Sequence, residues 1–339
     1  MTDTRDIERT DTAAPAPPTA ATAPSRLGWG RLQGFAPLAI LLVLAALLTA
    51  GEPTFLVEGG IRIATVQATP LIFLALGQMV VMLLGSIDLA NAALAVLGAI
   101  TVAKLLGSTA LAAPLLTIAA MAVLGGLAGL LSAYFQLPTF AVTLGALGIW
   151  QAAALLLSDE TTVYVTGHIG AIEWLLNYRF AGLELAIWLA LAATAALAAM
   201  LRWTAFGQQL RAMGLNERAA ALSGVPRIRV RTAAFAISGG LAGVAGIVLT
   251  AQQGTATASG AGIGLLLPSI AAAVVGRCAI TGGVANPGNV LVGALTVSLV
   301  PIGTSVLGID PRIQQVIFGA IIVLAVIASL DRTRRQVNK

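Results

Sequence analysis

The sequence predicts an all-α polytopic integral membrane protein with about ten transmembrane helices and a short cytoplasmic helix. Two observations on composition support this fold class: 58% of the 339 residues are apolar and only 10% are charged, whereas a soluble domain is roughly half apolar and a quarter charged. The third observation is the recurrence of apolar runs of roughly 20 residues, the length that crosses a bilayer core about 30 Å thick.

Ten apolar runs form the predicted spans, and polar tails flank them. The residues before the first run are rich in Thr, Ala, Pro and charge, which favours a disordered cytoplasmic tail over 1–34. The first run has no clear small-residue cleavage site, so we interpret it as an anchor and not as a signal peptide. The transmembrane domain covers 35–330, and 331–339 form a second tail. The spans lie at 35–50, 63–84, 87–106, 109–133, 137–157, 183–201, 232–251, 265–282, 288–307 and 312–330.

The basic residues indicate the orientation of the chain. With the N-terminus inside the cell, fifteen of the nineteen Lys and Arg residues fall on the cytoplasmic side, and four fall outside: Arg62, Lys104, Arg179 and Arg312. Because cytoplasmic loops carry the excess of Lys and Arg, both termini are predicted to be cytoplasmic. These residues then act as topology signals, and we expect no nucleic-acid partner. The longest outer loop, 158–182, is either a docking surface for an external partner or a solvated loop.

Several classes of active site are excluded by the residue counts. A single cysteine, Cys278, and a single histidine, His168, leave no cysteine-based metal cluster and no HExxH site. Neither lysine, Lys104 or Lys339, follows a glycine, so the sequence holds no GxxxxGK[ST] phosphate loop. We therefore predict no catalytic site, no metal site and no cofactor bound by this chain. If ATP is used, another chain hydrolyses it.

One polar stretch interrupts this apolar sequence, since 202–231 hold six arginines. Within it Asn216 is a good N-cap and Glu217 suits a first helical turn. Residues 218–223 are the predicted helix, and Gly224 can end it in the left-handed conformation. A helix of about seven residues is only roughly 10 Å long, which is too short to span a bilayer. We expect it to lie on the cytoplasmic face as a rigid lever.

Asp88 is the best candidate for an ionisable group inside a predicted span, 87–106. An ionised carboxylate near the middle of a membrane costs about 2.5–3.5 kcal/mol on insertion scales. It should therefore face the interior of the bundle, a water-filled path or the interface. Asn91, one helical turn later, would share its face. We interpret the two residues as shaping a pathway or its gate, with a structural hydrogen bond as the alternative.

Four segments carry a resemblance to a known family. They are GLNERAAALSGV (214–225), AFAISGGLAGVAGIVL (234–249), GSIDLANAALAVLGA (85–99) and LPSIAAAVVGRCAITGG (267–283). Over about 35–330 the chain resembles the permeases of bacterial ABC importers for ribose-type monosaccharides and, more distantly, the branched-chain amino-acid permeases. The resemblance implies a multi-pass subunit of the bacterial inner membrane that translocates a monosaccharide or related polyol.

The resemblance also implies partners. Such a permease works with a second permease copy, with ABC ATPase subunits that hold ATP and Mg, and with a periplasmic substrate-binding protein. The short polar helix would contact the ATPase. The residues assigned to this coupling by the resemblance, with the neighbouring charge included, are Gly214, Asn216, Glu217, Arg218, Ala219, Ala220, Ser223 and Gly224.

Two segments depart from the family pattern. The usual G-I-D-L-S-x-G is SIDLANA at 86–92, and the usual G-G-T-S-x-x-G-G is GRCAITGG at 276–283. The lost glycines reduce backbone freedom at predicted turns, and Arg277 adds a charge. The departures imply either an unusual substrate or a permease that forms half of a heterodimer. The predicted translocation path or gate comprises six residues: Asp88, Asn91, Gly276, Arg277, Gly282 and Gly283.

Two other functions compete with this interpretation. An ion-coupled secondary transporter usually carries several ionisable groups in its spans, and Asp88 is the one good candidate here. This argues against proton coupling, although a Na⁺ site built from backbone carbonyls stays open. A membrane enzyme would need a nucleophile–base pair or a metal constellation, and the chain has few residues from which to build one.

Overall fold

The computed structural model describes residues 36–51, 58–109, 111–259, 262–306, 308, 310, 312–321 and 323. The tails predicted at 1–34 and 331–339 lie outside the described residues, as do eight of the nineteen residues of the last predicted span. The helices are α1 (Ala36–Gly51), α2 (Glu58–Met82), α3 (Asn91–Thr109), α4 (Ala112–Tyr134), α5 (Thr139–Ser158), α6 (Gly170–Asn177), α7 (Leu185–Trp203), α8 (Ala205–Leu215), α9 (Glu217–Leu222), α10 (Arg227–Gln253), α11 (Leu266–Val275), α12 (Pro287–Val306) and α13 (313–321).

Among the described residues, seven helices are long and apolar enough to cross a membrane. They are α2, α3, α4, α5, α7, α10 and α12, and each coincides with a predicted span to within a few residues. Two shorter apolar helices, Pro37–Gly51 and Ile263–Val275, accompany them. The all-α polytopic fold class is therefore confirmed, with seven candidate spans in the described part of the chain.

The continuous span predicted over 265–282 is wrong. Helix α11 is ten residues long and ends at Val275, so it is about 15 Å long and covers half a bilayer core. Beyond it the chain is irregular, with positive φ values of 63° at Arg277, 94° at Gly282 and 78° at Gly283. A right-handed helix cannot continue through such residues, and hydropathy does not detect them.

Helix α10 forms the centre of the bundle and packs against α2, α3 and α4. The contact with α4 brings two backbones together, because a Cβ atom on Gly125 would lie 2.5 Å from the carbonyl oxygen of Phe235 and 3.0 Å from the Cα of Gly239. Small residues at such spacing allow close helix packing in membranes. Helix α10 has 27 residues and is about 40 Å long. We name the two ends of the bundle after its first and last residues, the Arg227 end and the Gln253 end.

The segment predicted as an outer loop has secondary structure of its own at the Gln253 end. Strand β1 (Val163–Tyr164) pairs with β4 (Thr255–Ala256), which directly follows α10. Strands β2 (Arg179–Phe180) and β3 (Leu183–Glu184) form a hairpin. The segment is fastened to α3 by His168, whose Nδ1 lies 3.1 Å from the carbonyl oxygen of Leu106.

Helices α4 and α5 present large apolar surfaces. In the most apolar stretch of α5 (Thr139–Ser158), only 17% of the residues are buried. Leu115, Val123, Ile149 and Leu156 are all exposed on these two helices. A soluble monomer rarely exposes a continuous apolar surface of this kind, which suits contact with lipid or with another chain.

Candidate functional site

The short helix α9 is built as its sequence predicts. The side chain of Asn216 accepts a hydrogen bond of 3.0 Å from the backbone N–H of Ala219, which makes it an N-cap. At the other end Ser223 Oγ donates to the carbonyl of Ala219 at 2.9 Å. Gly224 follows with φ 86°, in the left-handed region that glycine adopts without strain. A capped helix of six residues therefore lies at the Arg227 end.

Glu217 ties α9 to the first turns of α10. Its Oε1 accepts hydrogen bonds from Arg227 Nε at 2.9 Å and from the Arg231 guanidinium at 3.0 Å. The two arginines are four residues apart, so both lie on one face of α10. Because the Arg231 side chain is only 10% exposed, Glu217 supplies the negative charge that this buried cation needs. Its carboxylate is thus bonded within the chain.

The other predicted coupling residues fall into two groups. Arg218, Ala219, Ser223 and Gly224 are exposed, and Arg218 makes no hydrogen bond or ion pair with the residues that the structure describes. Ala220 is 5% exposed, so its methyl group packs within the chain and has little surface to offer a partner. Sequence reasoning missed Leu222, which is 91% exposed at the end of α9. An apolar residue beside charged ones in a short polar helix is the signal that would have found it.

Gly214, just before α9, belongs to a contact between three backbone segments. A Cβ atom on Gly214 would collide with the carbonyl oxygen of Leu83 and the N–H of Gly283. These two groups are themselves joined by a hydrogen bond of 2.9 Å. A Cβ on Gly282 would lie 2.7 Å from both the carbonyl oxygen of Gly214 and the N–H of Gly85. The last turn of α8, the turn after α2 and the loop after α11 therefore meet without side chains between them.

This contact joins two sets of residues that the sequence assigned separately. Gly214 belongs to the predicted coupling set, while Gly282 and Gly283 belong to the predicted path or gate. Gly276 lies elsewhere, where it allows α11 to pack on α12: a Cβ there would be 2.5 Å from the Cα of Val290. Arg277 is half-buried in the loop, and its N–H donates to the carbonyl of Val274 at 2.8 Å.

Asp88 lies in a turn, so the prediction that it sits within a helix is wrong. Helix α3 begins at Asn91, and Asp88 Oδ1 accepts a hydrogen bond of 3.0 Å from the N–H of Ala90. Aspartate side chains compete for nearby backbone N–H groups in this way and so favour turns and helix starts. Thr139 and Thr143 of α5 hold the same turn, through Ser86 Oγ at 3.0 Å and the carbonyl of Ile87 at 3.2 Å.

Of the three placements expected for Asp88, the structure has the interior of the bundle, since Asp88 is 1% exposed. Ser238 Oγ on α10 donates to Asp88 Oδ2 at 2.9 Å and accepts from Asn91 Nδ2 at 2.9 Å. Gln78 on α2 completes the network, with its amide oriented so that it donates to the Asp88 carbonyl at 3.0 Å and accepts from the Asp88 N–H at 3.2 Å. Sequence reasoning missed Gln78 and Ser238. The signal that could have found them is a polar residue within an apolar run.

Burial governs the electrostatics of this network. It raises the pKa of Asp88 to about 6, while hydrogen bonds from Ser238 and from the backbone N–H groups of Ala90 and Asn91 act in the opposite direction. Because every member is buried, the geometry is that of a polar connection between α2, α3 and α10. The role of Asp88 and Asn91 in a path or gate stays a prediction.

A basic cleft borders α9. It has a volume of about 510 Å³ and lies between α9, the start of α10 and the turn before α5. Glu217, Arg218, Arg227 and Arg231 line it together with Gln136 and Thr139. Three guanidinium groups against one carboxylate leave this surface positive. It therefore suits an acidic partner surface more than an apolar one.

Comparison with known proteins identifies related chains. Residues 60–326 match the family described as branched-chain amino acid transport system / permease component. The L-arabinose ABC transporter permease protein AraH of Azospirillum brasilense is 30% identical over 326 residues, which cover 94% of each chain. The ribose import permease protein RbsC of Escherichia coli (strain K12) is 29% identical and covers 86% of this chain and 91% of its own. The D-allose transport system permease protein AlsC of the same organism is 28% identical, covering 90% and 93%.

A solved structure of a metal-chelate type ABC transporter in an inward-facing conformation aligns with 91% of this chain and 99% of its own, at 16% identity and a TM-score of 0.46. That similarity is too low to transfer anything to this chain. The family match covers most of the sequence and the sugar permeases align over nearly its full length. The chain therefore belongs to the family of branched-chain amino acid transport system permease components, and it is similar to the L-arabinose, ribose and D-allose permease proteins named above.

Proposed function

We propose that this chain is the membrane-spanning permease subunit of an ABC importer for a monosaccharide or a related polyol. The observation that carries the proposal is its similarity to sugar permeases, which for the L-arabinose permease extends over 94% of both chains. In this proposal the chain moves substrate and does not hydrolyse ATP. ATP and Mg are held by the partner ATPase.

The proposed orientation places the Arg227 end in the cytoplasm. Arginines gather at this end, on α7 to α10, whereas the Gln253 end carries most of the acidic residues that the structure describes: Asp159, Glu160, Glu173, Glu184 and Asp310. The asymmetry follows the positive-inside rule. It supports ten crossings of the bacterial inner membrane with both termini in the cytoplasm. In this proposal three crossings add to the seven long helices of the described residues: α1, α13, and a broken crossing made of α11 and the irregular segment that follows it.

Helix α9 is the proposed coupling helix. Arg218, Leu222 and Ser223 offer a charged group, an apolar side chain and a hydroxyl on its exposed surface, and these would contact the ATPase. Glu217 would transmit movement of α9 to α10 through its two arginines. Gly214 would transmit the same movement to the turn after α2 and the loop after α11, since no side chain lies between them.

Two further partners complete the proposed importer. The exposed apolar faces of α4 and α5 would contact lipid or a second permease copy, identical or related. A periplasmic substrate-binding protein would dock at the Gln253 end, where the segment between α5 and α7 forms α6, the β2–β3 hairpin and strand β1, which pairs with β4. The chain itself then needs to hold the substrate only during passage.

The test is reconstitution of the chain in liposomes with its ATPase and binding protein. Uptake of L-arabinose, D-ribose and D-allose is measured together with ATP hydrolysis, for wild type and for Arg218→Glu. We expect uptake that needs ATP and both partners, and loss of coupling in Arg218→Glu. Arg312→Glu is the matched control, because this exposed arginine lies at the opposite end. Uptake by the chain alone under a Na⁺ gradient, indifferent to Arg218→Glu, would instead establish an ion-coupled carrier.

A further inference from the structure

A second cavity, about 330 Å³ in volume, opens at the Gln253 end. It lies between the ends of α10 and α12 and the starts of α2, α11 and α13. Five of the twelve glutamines in the sequence line it, although they come from three separate segments. They are Gln67, Gln252, Gln253, Gln314 and Gln315, and Ser298 accompanies them. Its volume falls in the range of about 300–1,000 Å³ that is usual for small-molecule sites.

Two of the five glutamines hold the walls of this cavity in place. Gln252 Nε2 donates to the carbonyl of Val66 on α2 at 2.7 Å, which fixes the end of α10 against α2. Gln314 Nε2 donates to Thr304 Oγ1 on α12 at 2.9 Å, which fixes α13 against α12. Because these two amides hydrogen-bond within the protein, one fixes α10 to α2 and the other fixes α13 to α12 around the cavity.

The other three glutamines are available to a ligand. Gln67, Gln253 and Gln315 are exposed, and they make no hydrogen bond with the residues that the structure describes. Each amide offers two N–H donors and a carbonyl acceptor. Three such groups around one cavity can satisfy several hydroxyl groups, each of which acts as donor and acceptor.

The charge of the lining selects the class of ligand. Among the described residues that line the cavity, none is Asp, Glu, Lys or Arg, so these residues offer a charged ligand no counter-charge. A ligand of hydroxyl groups loses hydrogen bonds to water when it is buried and regains them from amides. Leu71, Leu249 and Phe318 supply an apolar wall for its carbon skeleton. We propose that this cavity is a binding site for a neutral polyhydroxylated ligand, a monosaccharide or polyol.

The position of the cavity deepens the proposed function and, in this respect, rests on it. The cavity lies at the end of α10 opposite the Glu217 ion pairs, roughly 30–40 Å along the helix. In the proposed orientation this is the periplasmic end, where a binding protein would release its substrate. The cavity is then the first place in the membrane subunit that receives the sugar.

A cysteine reporter tests the site without requiring transport. Gly264 lines the cavity, and a Cβ atom there would meet no atom within 4 Å, so Gly264→Cys fits without strain. The natural Cys278 is only 4% exposed and serves as the unlabelled background. Purified full-length Gly264→Cys is labelled with a maleimide in the presence of L-arabinose, D-ribose or D-allose, and in the presence of NaCl as the charged control.

We expect at least one sugar to slow labelling and NaCl to leave the rate unchanged. Only the free site reacts, so a sugar at ten times its Kd slows labelling roughly tenfold. In the Gly264→Cys protein, Gln253→Ala and Gln315→Ala should each raise the Kd of the sugar by about 2- to 12-fold. This factor corresponds to the loss of one neutral hydrogen bond. Gln208→Ala is the matched control, since Gln208 is exposed on α8 at the other end.

The outcomes separate this site from the proposed function. Absence of protection by all three sugars, or protection that Gln253→Ala and Gln315→Ala leave unchanged, would overturn the proposed site even if the reconstituted importer transports sugar. Protection that depends on both glutamines would establish the site even if the reconstituted system shows no uptake, and the proposed function would then fail alone.

Discussion

The carboxylate of Glu217 lies 3.0 Å from the guanidinium of Arg231, across the contact between the short helix α9 and the central helix α10. The arginine side chain is 10% exposed and the glutamate 34%. A buried guanidinium is stable in a folded protein only when it is paired and hydrogen-bonded. The pair therefore holds α9 in one orientation on the helix that runs through the middle of the bundle.

Loss of this carboxylate should destabilise the chain. Glu217→Ala leaves the buried guanidinium of Arg231 without its partner, and a hydrogen bond to a charged group is worth about 1.5–3 kcal/mol. We expect a lower melting temperature for the purified chain in detergent. Asp159→Asn is the control: the Lys104–Asp159 pair is 3.8 Å long with the aspartate 85% exposed, and exposed pairs contribute little.

A double substitution shows whether the loss of stability in Glu217→Ala comes from the unpaired charge of Arg231. Arg231→Met removes the guanidinium but keeps much of its apolar volume. In Glu217→Ala/Arg231→Met no buried charge is left over, so the double variant should be more stable than Glu217→Ala alone. Equal melting temperatures for these two variants would show that Arg231 does not depend on Glu217.

Leu222 should matter for assembly and not for folding. Its side chain is 91% exposed, so Leu222→Ser should leave the melting temperature unchanged. If the ATPase buries this leucine, its loss removes about 1.5–3 kcal/mol of binding, which weakens affinity roughly tenfold or more. Titration of the ATPase onto the reconstituted permease measures this directly. Leu111→Ser is the control, because Leu111 is 79% exposed and precedes α4 at the other end; equal effects would contradict the assignment.

The sequence predicts those parts of the fold that depend on local physical chemistry. Hydrophobic length identified all seven long helices of the described residues, because a span must be apolar over roughly 20 residues whatever its neighbours are. The helix at α9 was predictable from its cap, since Asn216 bonds to a residue three positions away. In contrast, 265–282 is apolar enough to span, yet its helix ends before Gly276, which lies against the backbone of α12.

The candidate site was less predictable, because its geometry depends on residues distant in sequence. Asp88 meets Ser238 across 150 positions, and Gly214 meets Leu83 and Gly283. The sequence identified Asp88, Gly214 and Gly283 as notable residues but contained no sign that the last two touch. It also placed Glu217 and Arg218 together as coupling residues, whereas the fold turns one inward and the other outward.

Gly214 should tolerate no side chain. In Gly214→Ala the new methyl group would overlap the carbonyl oxygen of Leu83 and the N–H of Gly283, which are backbone atoms and cannot rotate away. Overpacking of this kind typically costs about 1–3 kcal/mol. Gly148→Ala is the matched control within a helix, because nothing lies within 4 Å of the added Cβ and alanine favours a helix by up to about 1 kcal/mol. Thermal unfolding should therefore move in opposite directions in the two variants, and a shift in the same direction would contradict the close contact.

Asp88 should make the stability of the chain depend on pH. Burial raises its pKa from 3.8 to about 6, so the folded state holds the proton more tightly than the unfolded state does. The contribution of Asp88 is then fully present below about pH 4 and is lost as the pH rises through about 6. Asp88→Asn does not titrate, and it keeps an oxygen that can accept from Ser238. The difference in unfolding free energy, wild type minus Asp88→Asn, should therefore fall between pH 4 and pH 7. Thermal unfolding of both proteins across this range measures it, and the subtraction cancels the other carboxylates. A difference that stays constant with pH would show that Asp88 keeps an ordinary pKa in the folded chain.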